Sequence, residues 1–97
     1  MKYLLSWRIH EDKRHEAFKA FSAMTAEDDR ADMGENVTLV GRWHDLVAFE
    51  GALICETDDP TAVPKWILNW NHIIDCDVTP VLDDEETRAI GRAKFGG

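Results

Sequence analysis

Segments with alternating apolar residues and segments with helical apolar spacing follow one another along this chain. Their order predicts strand, helix, strand, strand, helix, strand. The predicted strands are Lys2–Ile9, Asn36–Trp43, Leu46–Glu56 and Ile73–Val81, and the predicted helices are Asp12–Met24 and Asp59–Asn71. This is the split βαβ, or ferredoxin-like, pattern. We therefore expect an α+β fold, βαββαβ, in which two helices cover one face of a four-stranded antiparallel sheet. A short C-terminal helix, capped by Asp83 or Asp84, should follow.

Each predicted helix carries one apolar stripe, which marks the side that packs on the sheet. The stripes consist of Ala17, Phe18, Phe21 and Met24 in the first helix and of Val63, Trp66, Ile67 and Trp70 in the second. Because Trp66 and Trp70 are four residues apart on one stripe, we predict that both belong to the core and do not contact a cofactor. The start of the second helix stays open between Pro60 and Pro64.

The sequence also predicts the form of two connections between these elements. The segment Thr25–Glu35 is polar and acidic, so we predict it as the longest loop, with a capping pattern at Thr25–Asp28 that allows one extra helical turn. Only His44 and Asp45 separate the second and third predicted strands, which indicates a tight antiparallel hairpin.

Alternation sorts the strand residues onto two faces of the sheet. The first face is nearly all apolar and should lie beneath the helices; it contains Leu5, Trp7, Val37, Leu39, Trp43, Val47, Phe49, Leu53, Cys55, Ile74, Cys76 and Val78. The second face is mixed; it contains Leu4, Ser6, Arg8, Thr38, Val40, Arg42, His44, Leu46, Ala48, Glu50, Ala52, Ile54, Asp75 and Asp77.

The mixed face has three explanations. It packs against the same face of a second subunit, it lines a ligand cavity, or it is an exposed amphipathic surface with cross-strand ion pairs. The apolar residues favour a homodimer through this face. A bulge at Gly41 or Gly51 would change the alternation and move Arg42 or Glu50 to the other side.

Composition limits the classes of function. A chain of 97 residues has room for one domain, residues 1–97. Its formal net charge of −8 argues against a nucleic-acid partner, because phosphate binding requires clustered Lys and Arg. No segment is apolar for long enough to be a signal peptide or a membrane span, so we expect a cytoplasmic protein with no membrane partner. Cys55 and Cys76 lack the spacing of a zinc site, and a disulfide between them is possible but not implied.

The four histidines differ in how well their predicted positions suit a functional role. His10 and His15 flank the start of the first predicted helix, and His72 lies in a turn. His44 ends a predicted strand on the mixed face, where it suits a general acid or base. The alternative for His44 is a hydrogen bond to a turn carbonyl. The histidine spacing predicts no metal, and no nucleotide or cofactor motif is present, so we expect no cofactor.

Arg8, Arg42, His44 and Glu50 are the candidate ligand-binding residues, and no catalytic residue is assigned. In a ferredoxin-like sheet the first and second strands both neighbour the third, which would place Glu50 between Arg8 and Arg42. One carboxylate between two guanidinium groups leaves a positive charge to bind an anionic small molecule. The alternative is that Asp75 and Asp77 cancel this surplus and the cluster is structural.

Several segments resemble a bacterial family of small proteins that is described only as a domain of unknown function. The resemblance rests on Met1–Trp7, on Gly41-Arg42-Trp43-His44, on Trp66 through Trp70 and on Val78-Thr79-Pro80-Val81-Leu82, and it covers nearly the whole chain. It implies a ferredoxin-like fold of the dimeric α/β-barrel type and no established activity. Pro64 and Cys76 depart from the family pattern, which usually has a helix former and an aromatic residue there.

Three functions follow as hypotheses. The first is a small dimeric α/β barrel that binds an unidentified small molecule. The second is a cofactor-free enzyme, monooxygenase- or isomerase-like, which rests on analogy of fold. The third is a structural interaction module without a ligand. A cavity next to His44 would favour the enzyme, and a filled, dry sheet interface would favour the structural module.

Overall fold

The computed structural model describes residues 1–96, and its helices and strands follow the predicted order with one addition. They are β1 Lys2–Ile9, α1 Arg14–Ser22, α2 Ala26–Met33, β2 Thr38–Asp45, β3 Glu50–Glu56, α3 Ala62–Ile67, β4 Ile74–Val81 and α4 Asp84–Phe95, with a 3-10 turn Glu11–Lys13 before α1. No helix within the described residues is both long and apolar enough to cross a membrane.

The four strands form one antiparallel sheet in the order β2-β3-β1-β4. This order and the βαββαβ succession confirm the predicted α+β, ferredoxin-like fold. β1 is central and pairs with both β3 and β4 over its length, so its alternation decides which residues face the helices. Leu5 is fully buried and lies opposite Leu53 of β3, whereas Ser6 beside it is exposed.

The core lies on the side of the sheet that carries Leu5, which we call the helix side. Its buried members are Leu5, Met33, Leu53, Cys55, Val63 and Trp66. Burial of a Leu-sized side chain contributes roughly 1.5–3 kcal/mol, so this cluster supplies much of the stability of the domain. The opposite surface, which we call the open side, carries Leu4, Ser6, Ala52 and Ile54.

A bulge in β2 corrects the predicted sorting of that strand. The pairing with β3 shifts between Leu39 and Gly41, so Arg42 lies opposite Leu53 and His44 lies opposite Gly51. Both therefore face the helix side, and Trp43 faces the open side. Trp43 folds back over Gly41, where an added Cβ atom would come within 2.5 Å of its ring. Of the two bulge positions considered in the sequence, Gly41 and Gly51, the bulge occurs at Gly41.

The hairpin between β2 and β3 is longer than predicted. Asp45 still belongs to β2, and the turn is Leu46–Phe49. The carboxylate of Asp45 accepts hydrogen bonds from the backbone N–H groups of Val47 (2.9 Å) and Ala48 (3.0 Å), which therefore do not extend the ladder. The prediction of a two-residue turn was wrong, and neither Leu46 nor Ala48 lies on the sheet.

The predicted loop Thr25–Glu35 contains α2. Thr25 caps this helix through a reciprocal pair with Asp28: the Asp28 N–H donates to Oγ1 of Thr25 (3.1 Å), and the Thr25 N–H donates to Oδ2 of Asp28 (3.0 Å). The capping pattern was visible in the sequence, but it opens two turns of helix where one was expected. Because only Met33 is buried, α2 has no apolar stripe from which its length could be predicted.

α3 is shorter than predicted at both ends. The Asp59 carboxylate accepts from the backbone N–H (2.9 Å) and the hydroxyl (2.7 Å) of Thr61, and the helix begins at Ala62. Pro64 is the third helical residue, a position whose N–H has no acceptor within the helix, so proline breaks no hydrogen bond there. Turns follow from Leu68 to β4.

α4 is longer than the short helix predicted, and Asp83 is the residue that caps it, in a reciprocal pair with Glu86. None of its residues is buried. It is tied to the sheet at its start, where Nζ of Lys2 lies 3.3 Å from Glu86 and 3.6 Å from Asp83. The chain is elongated, 53 Å in its longest dimension.

Candidate functional site

A cavity of about 440 Å³ lies between the sheet and α1, α2 and α3, and we call it the helix-side cavity. Its floor is formed by side chains of the sheet, among them Leu5, Trp7, Leu53 and Cys76. Its walls include Ala17, Phe18 and Phe21 of α1 and Trp66, Ile67 and Trp70 from α3 and the turn after it. Leu46 and Phe49 of the turn between β2 and β3 also line it, Leu46 exposed and Phe49 half-buried.

The aromatic residues of the cavity reach it from separate elements. Trp66 is only 4% exposed and belongs to the core, as predicted, while Trp70 is half-buried and lies beyond the end of α3. Both also line the cavity, so core packing is only one of their contacts. Phe49 also lines the cavity and has a left-handed backbone (φ 56°), a conformation that is strained for an aromatic residue.

Arg42 extends from β2 into this cavity and binds α2. Its Nη1 and Nη2 donate to Oδ1 (3.2 Å) and Oδ2 (2.6 Å) of Asp29, a two-point ion pair. The two side chains are 15% and 18% exposed, so water competes little with this pair. The guanidinium carbon also lies 4.9 Å from the centre of the Phe21 ring, within the range of a cation–π contact. Arg42 thereby joins β2, α1 and α2.

Asp32, one turn after Asp29, fastens α2 to α3. Its Oδ2 accepts the indole N–H of Trp66 (3.1 Å) and of Trp70 (2.7 Å). Its Oδ1 accepts the side-chain amide of Asn69 (3.0 Å). Buried tryptophans require an acceptor for the indole N–H, and here one carboxylate serves both.

His44 stands two residues after Arg42 on the same face of β2. Its ring centre is 4.9 Å from that of Phe21 and 5.5 Å from that of Trp7. Although the residue as a whole is exposed, this partial enclosure lowers the pKa of the imidazole below 6.5, and the positive charge of Arg42 lowers it further. Asp29 acts in the opposite direction. The ring is therefore neutral at pH 7.

The alternative predicted for His44, a hydrogen bond to a turn carbonyl, is not found. Within residues 1–96 the imidazole makes no hydrogen bond to the protein. A neutral imidazole has one N–H donor and one acceptor nitrogen. Both are open to a molecule in the cavity.

The structure divides the four predicted ligand-binding residues. Arg42 and His44 lie together in the helix-side cavity, whereas Arg8 lies on the open side and donates from Nε to Glu50 Oε2 (3.3 Å). Glu50 begins β3 at the rim of the cavity. The prediction that all four residues cluster on the mixed face was wrong, because the bulge in β2 moves Arg42 to the side of the sheet opposite Arg8 and Glu50.

The expected surplus of positive charge is also absent. Arg8 is paired with Glu50, and Arg42 is paired with Asp29. Asp75, which the alternative interpretation placed among the acids that cancel this surplus, lies 3.2 Å from Nε2 of His10. The geometry therefore contains no free guanidinium at the predicted anion site.

Asp29 and Asp32 were not predicted as site residues. The acidic residues Glu27–Asp29 occupy the first turn of α2, where carboxylates suit the helix dipole. Asp29 and Asp32 are three residues apart in a segment that begins with a helix cap. This spacing puts both on one face of a helix, and it is the signal that could have identified them.

The cysteines do not form a disulfide. Cys55 is buried in the core, and Cys76 lines the helix-side cavity. Burial raises the pKa of both thiols, so they stay protonated near neutral pH and are poor nucleophiles.

The fold and the cavity together define a ferredoxin-like α+β domain with a ligand-sized space between its sheet and its helices. The chain belongs to a family described as a domain of unknown function, DUF3303, whose model matches residues 1–95. This confirms the resemblance found in the sequence. No curated protein matches the chain. No solved structure matches it.

The role of Asp32 gives a stability prediction. Asp32→Ala leaves two indole N–H groups without their acceptor, and a buried unsatisfied donor costs roughly 1–3 kcal/mol. We expect the free energy of unfolding, measured by urea denaturation, to fall by about 2 kcal/mol or more. Glu27→Ala removes an exposed carboxylate from the same helix and serves as the control, with an expected change within about 0.5 kcal/mol. Equal losses in the two variants would show that Asp32 does not hold α2 to α3.

The lowered pKa of His44 gives a pH prediction. The folded state binds this proton less readily than the unfolded state, whose His pKa is near 6.5. The free energy of unfolding should therefore decrease as the pH falls from about 7 to about 5.5. His44→Gln removes this contribution, while the other histidines remain the same in both proteins. Urea denaturation at several pH values should show a smaller decrease for the variant, and parallel curves would contradict the assignment.

Proposed function

We propose that this protein binds a small, largely apolar molecule in the helix-side cavity. The observation that carries the proposal is the position of His44, whose unpaired imidazole lies at a cavity with aromatic walls. Binding sites for small molecules combine an apolar lining with a few polar groups that orient the ligand. His44 supplies such a group, and Trp7, Phe21 and Trp70 supply the lining.

The dimensions of the cavity support a ligand of one or two rings. Its volume of about 440 Å³ lies within the range of roughly 300–1,000 Å³ that is common for ligand sites. A benzene molecule fits a cavity of roughly 150 Å³, so the space exceeds what a single ring fills.

A cofactor-free enzyme remains the second proposal, because the cavity lies next to His44 and Arg42 is on the same strand. A neutral histidine near pH 7 can accept a proton from a bound substrate. The same cavity argues against a purely structural module.

The free thiols of Cys55 and Cys76 support a cytoplasmic location, where cysteines stay reduced.

We also propose that the open side of the sheet forms a homodimer. Val40 and Trp43 are 61% and 65% exposed there, next to Leu4 and Ile54. Large apolar side chains side by side on a monomer surface usually mark an interface. The family resemblance to dimeric barrels supports a second copy of this chain as the partner.

The area of this surface suits a dimer. Four strands of eight residues or fewer outline roughly 500 Å². A stable interface buries roughly 800 Å² on each partner, and side-chain relief raises the accessible area above the outline. Leu82 and Ile90, which are exposed beyond the end of β4, extend the apolar surface along α4.

The dimer is tested by charge substitution on the open side. Val40→Asp together with Ile54→Asp should give a monomer in light scattering at micromolar concentration, because two buried carboxylates per subunit would face the partner. Leu68→Asp changes an equally exposed apolar residue that lies outside the sheet, and it should leave the dimer intact. A monomeric wild-type protein at that concentration would end the proposal.

Ligand binding is tested by filling the cavity. Ala17 is buried and lines the cavity, whereas Ala20 on the same helix is exposed. The uncharged dye N-phenyl-1-naphthylamine should bind the wild-type protein with enhanced fluorescence. Ala17→Leu should weaken this binding about tenfold, since the added carbons occupy the space of the probe, and Ala20→Leu should leave it unchanged. Absence of binding to the folded wild-type protein would favour a structural module.

A further inference from the structure

Most of the charged groups along the helix-side cavity are already engaged by other protein groups, which restricts the ligands that the cavity can take. The only guanidinium that lines it, Arg42, is held at two points by Asp29. Glu50 at the rim is paired with Arg8 on the other side of the sheet. The guanidinium carbon of Arg14 lies 5.5 Å from the centre of the Phe49 ring, but Arg14 is not among the lining residues. Among the described residues, no lining cation is therefore left to neutralise a carboxylate or phosphate.

The two remaining acidic residues that line the cavity, Asp32 and Asp45, repel an anion and do not form a buried binding site for a cation. Asp32 accepts three hydrogen bonds from Trp66, Trp70 and Asn69. Asp45 accepts two from the backbone of the turn that follows it. Both carry negative charge that repels an anion. Both oxygens of Asp32 are engaged, whereas Asp45 uses only Oδ1 and is exposed at the end of β2. A cation inside the cavity would therefore lose hydration without gaining an unengaged, buried carboxylate as a partner.

His44 is the polar group that these pairings leave open. It stands between Phe21 and Trp7, so a flat molecule that touches either ring passes within reach of the imidazole. A neutral imidazole pairs best with a group that both donates and accepts, and a hydroxyl group does both. A carboxylate only accepts, and an ammonium group only donates.

We propose that the ligand is an uncharged, planar aromatic molecule with a hydroxyl group, bound in its un-ionised form with that hydroxyl hydrogen-bonded to His44. This inference rests on the proposed function, and it replaces the anionic ligand that the sequence suggested. The aromatic walls hold the rings, and the lack of an unengaged charged partner inside the cavity selects against ionised molecules of either sign.

The test uses 4-nitrophenol, because its un-ionised and ionised forms differ in visible absorbance. Binding to the wild-type protein is measured by equilibrium dialysis at pH values below and above the pKa of the probe. We expect the bound probe to absorb as the un-ionised phenol. The affinity should fall by about tenfold or more as the probe ionises, because the cavity has no free cation to balance its charge.

A second comparison isolates the hydrogen bond. The probe 4-nitroanisole has the same ring but a methoxy group in place of the hydroxyl. His44→Phe should weaken 4-nitrophenol binding about three- to tenfold, the value of one hydrogen bond, and should leave 4-nitroanisole unchanged. His72→Phe, in a turn outside the cavity lining, is the matched control and should affect neither probe.

The outcomes separate this inference from the proposed function. Preferential binding of the phenolate, or tighter binding of trimethylanilinium than of 4-nitrophenol, would overturn the charge selection. Equal effects of His44→Phe on both probes would overturn the role of His44. In each of these cases the cavity still binds small molecules. If neither these probes nor N-phenyl-1-naphthylamine binds the folded protein, the proposed function fails, and this inference fails with it.

Discussion

The ion pair between Arg42 and Asp29 is the contact on which the rest of this structure depends. Arg42 projects from a strand into the side of the sheet that carries the core, and a guanidinium that is only 15% exposed requires a partner. α2 provides this partner, although it has almost no apolar surface of its own. The helix is therefore placed by its acids: Asp29 binds β2, Asp32 binds the tryptophans of α3 and its following turn, and Met33 enters the core.

This way of placing a helix explains why a cavity remains. An apolar helix would have packed its side chains onto the sheet and filled the interior. α2 instead stays at the distance set by two carboxylates and their partners, while Ala17 of α1 and Cys76 of β4 contribute only small side chains to the same space. The large aromatic residues border this space, and most of the charged groups that line it are engaged by other protein groups before any ligand arrives.

The two sides of the sheet consequently have different chemistry. The helix side holds the cavity, the pair Arg42–Asp29 and His44. The open side holds exposed Val40 and Trp43 together with the pair Arg8–Glu50, and our proposal is that it binds a second copy of the chain. A ligand in the cavity and a partner on the open side would share the strands between them, in particular β2, whose successive residues point alternately to the two sides.

The sequence by itself determined the order of elements, the ferredoxin-like topology and the bounds of β1, because alternation and helical spacing are local properties that each segment carries. It also identified Trp66 as a core residue and Thr25 as a helix cap. Only the tertiary structure decided the side on which Arg42 and His44 lie, because a single extra residue at the Gly41 bulge reverses the alternation after it. It also decided that Asp29 and Asp32 face the cavity. Their role comes from partners 13 and 34 residues away, and no local pattern records which side chains the folded chain will bring together.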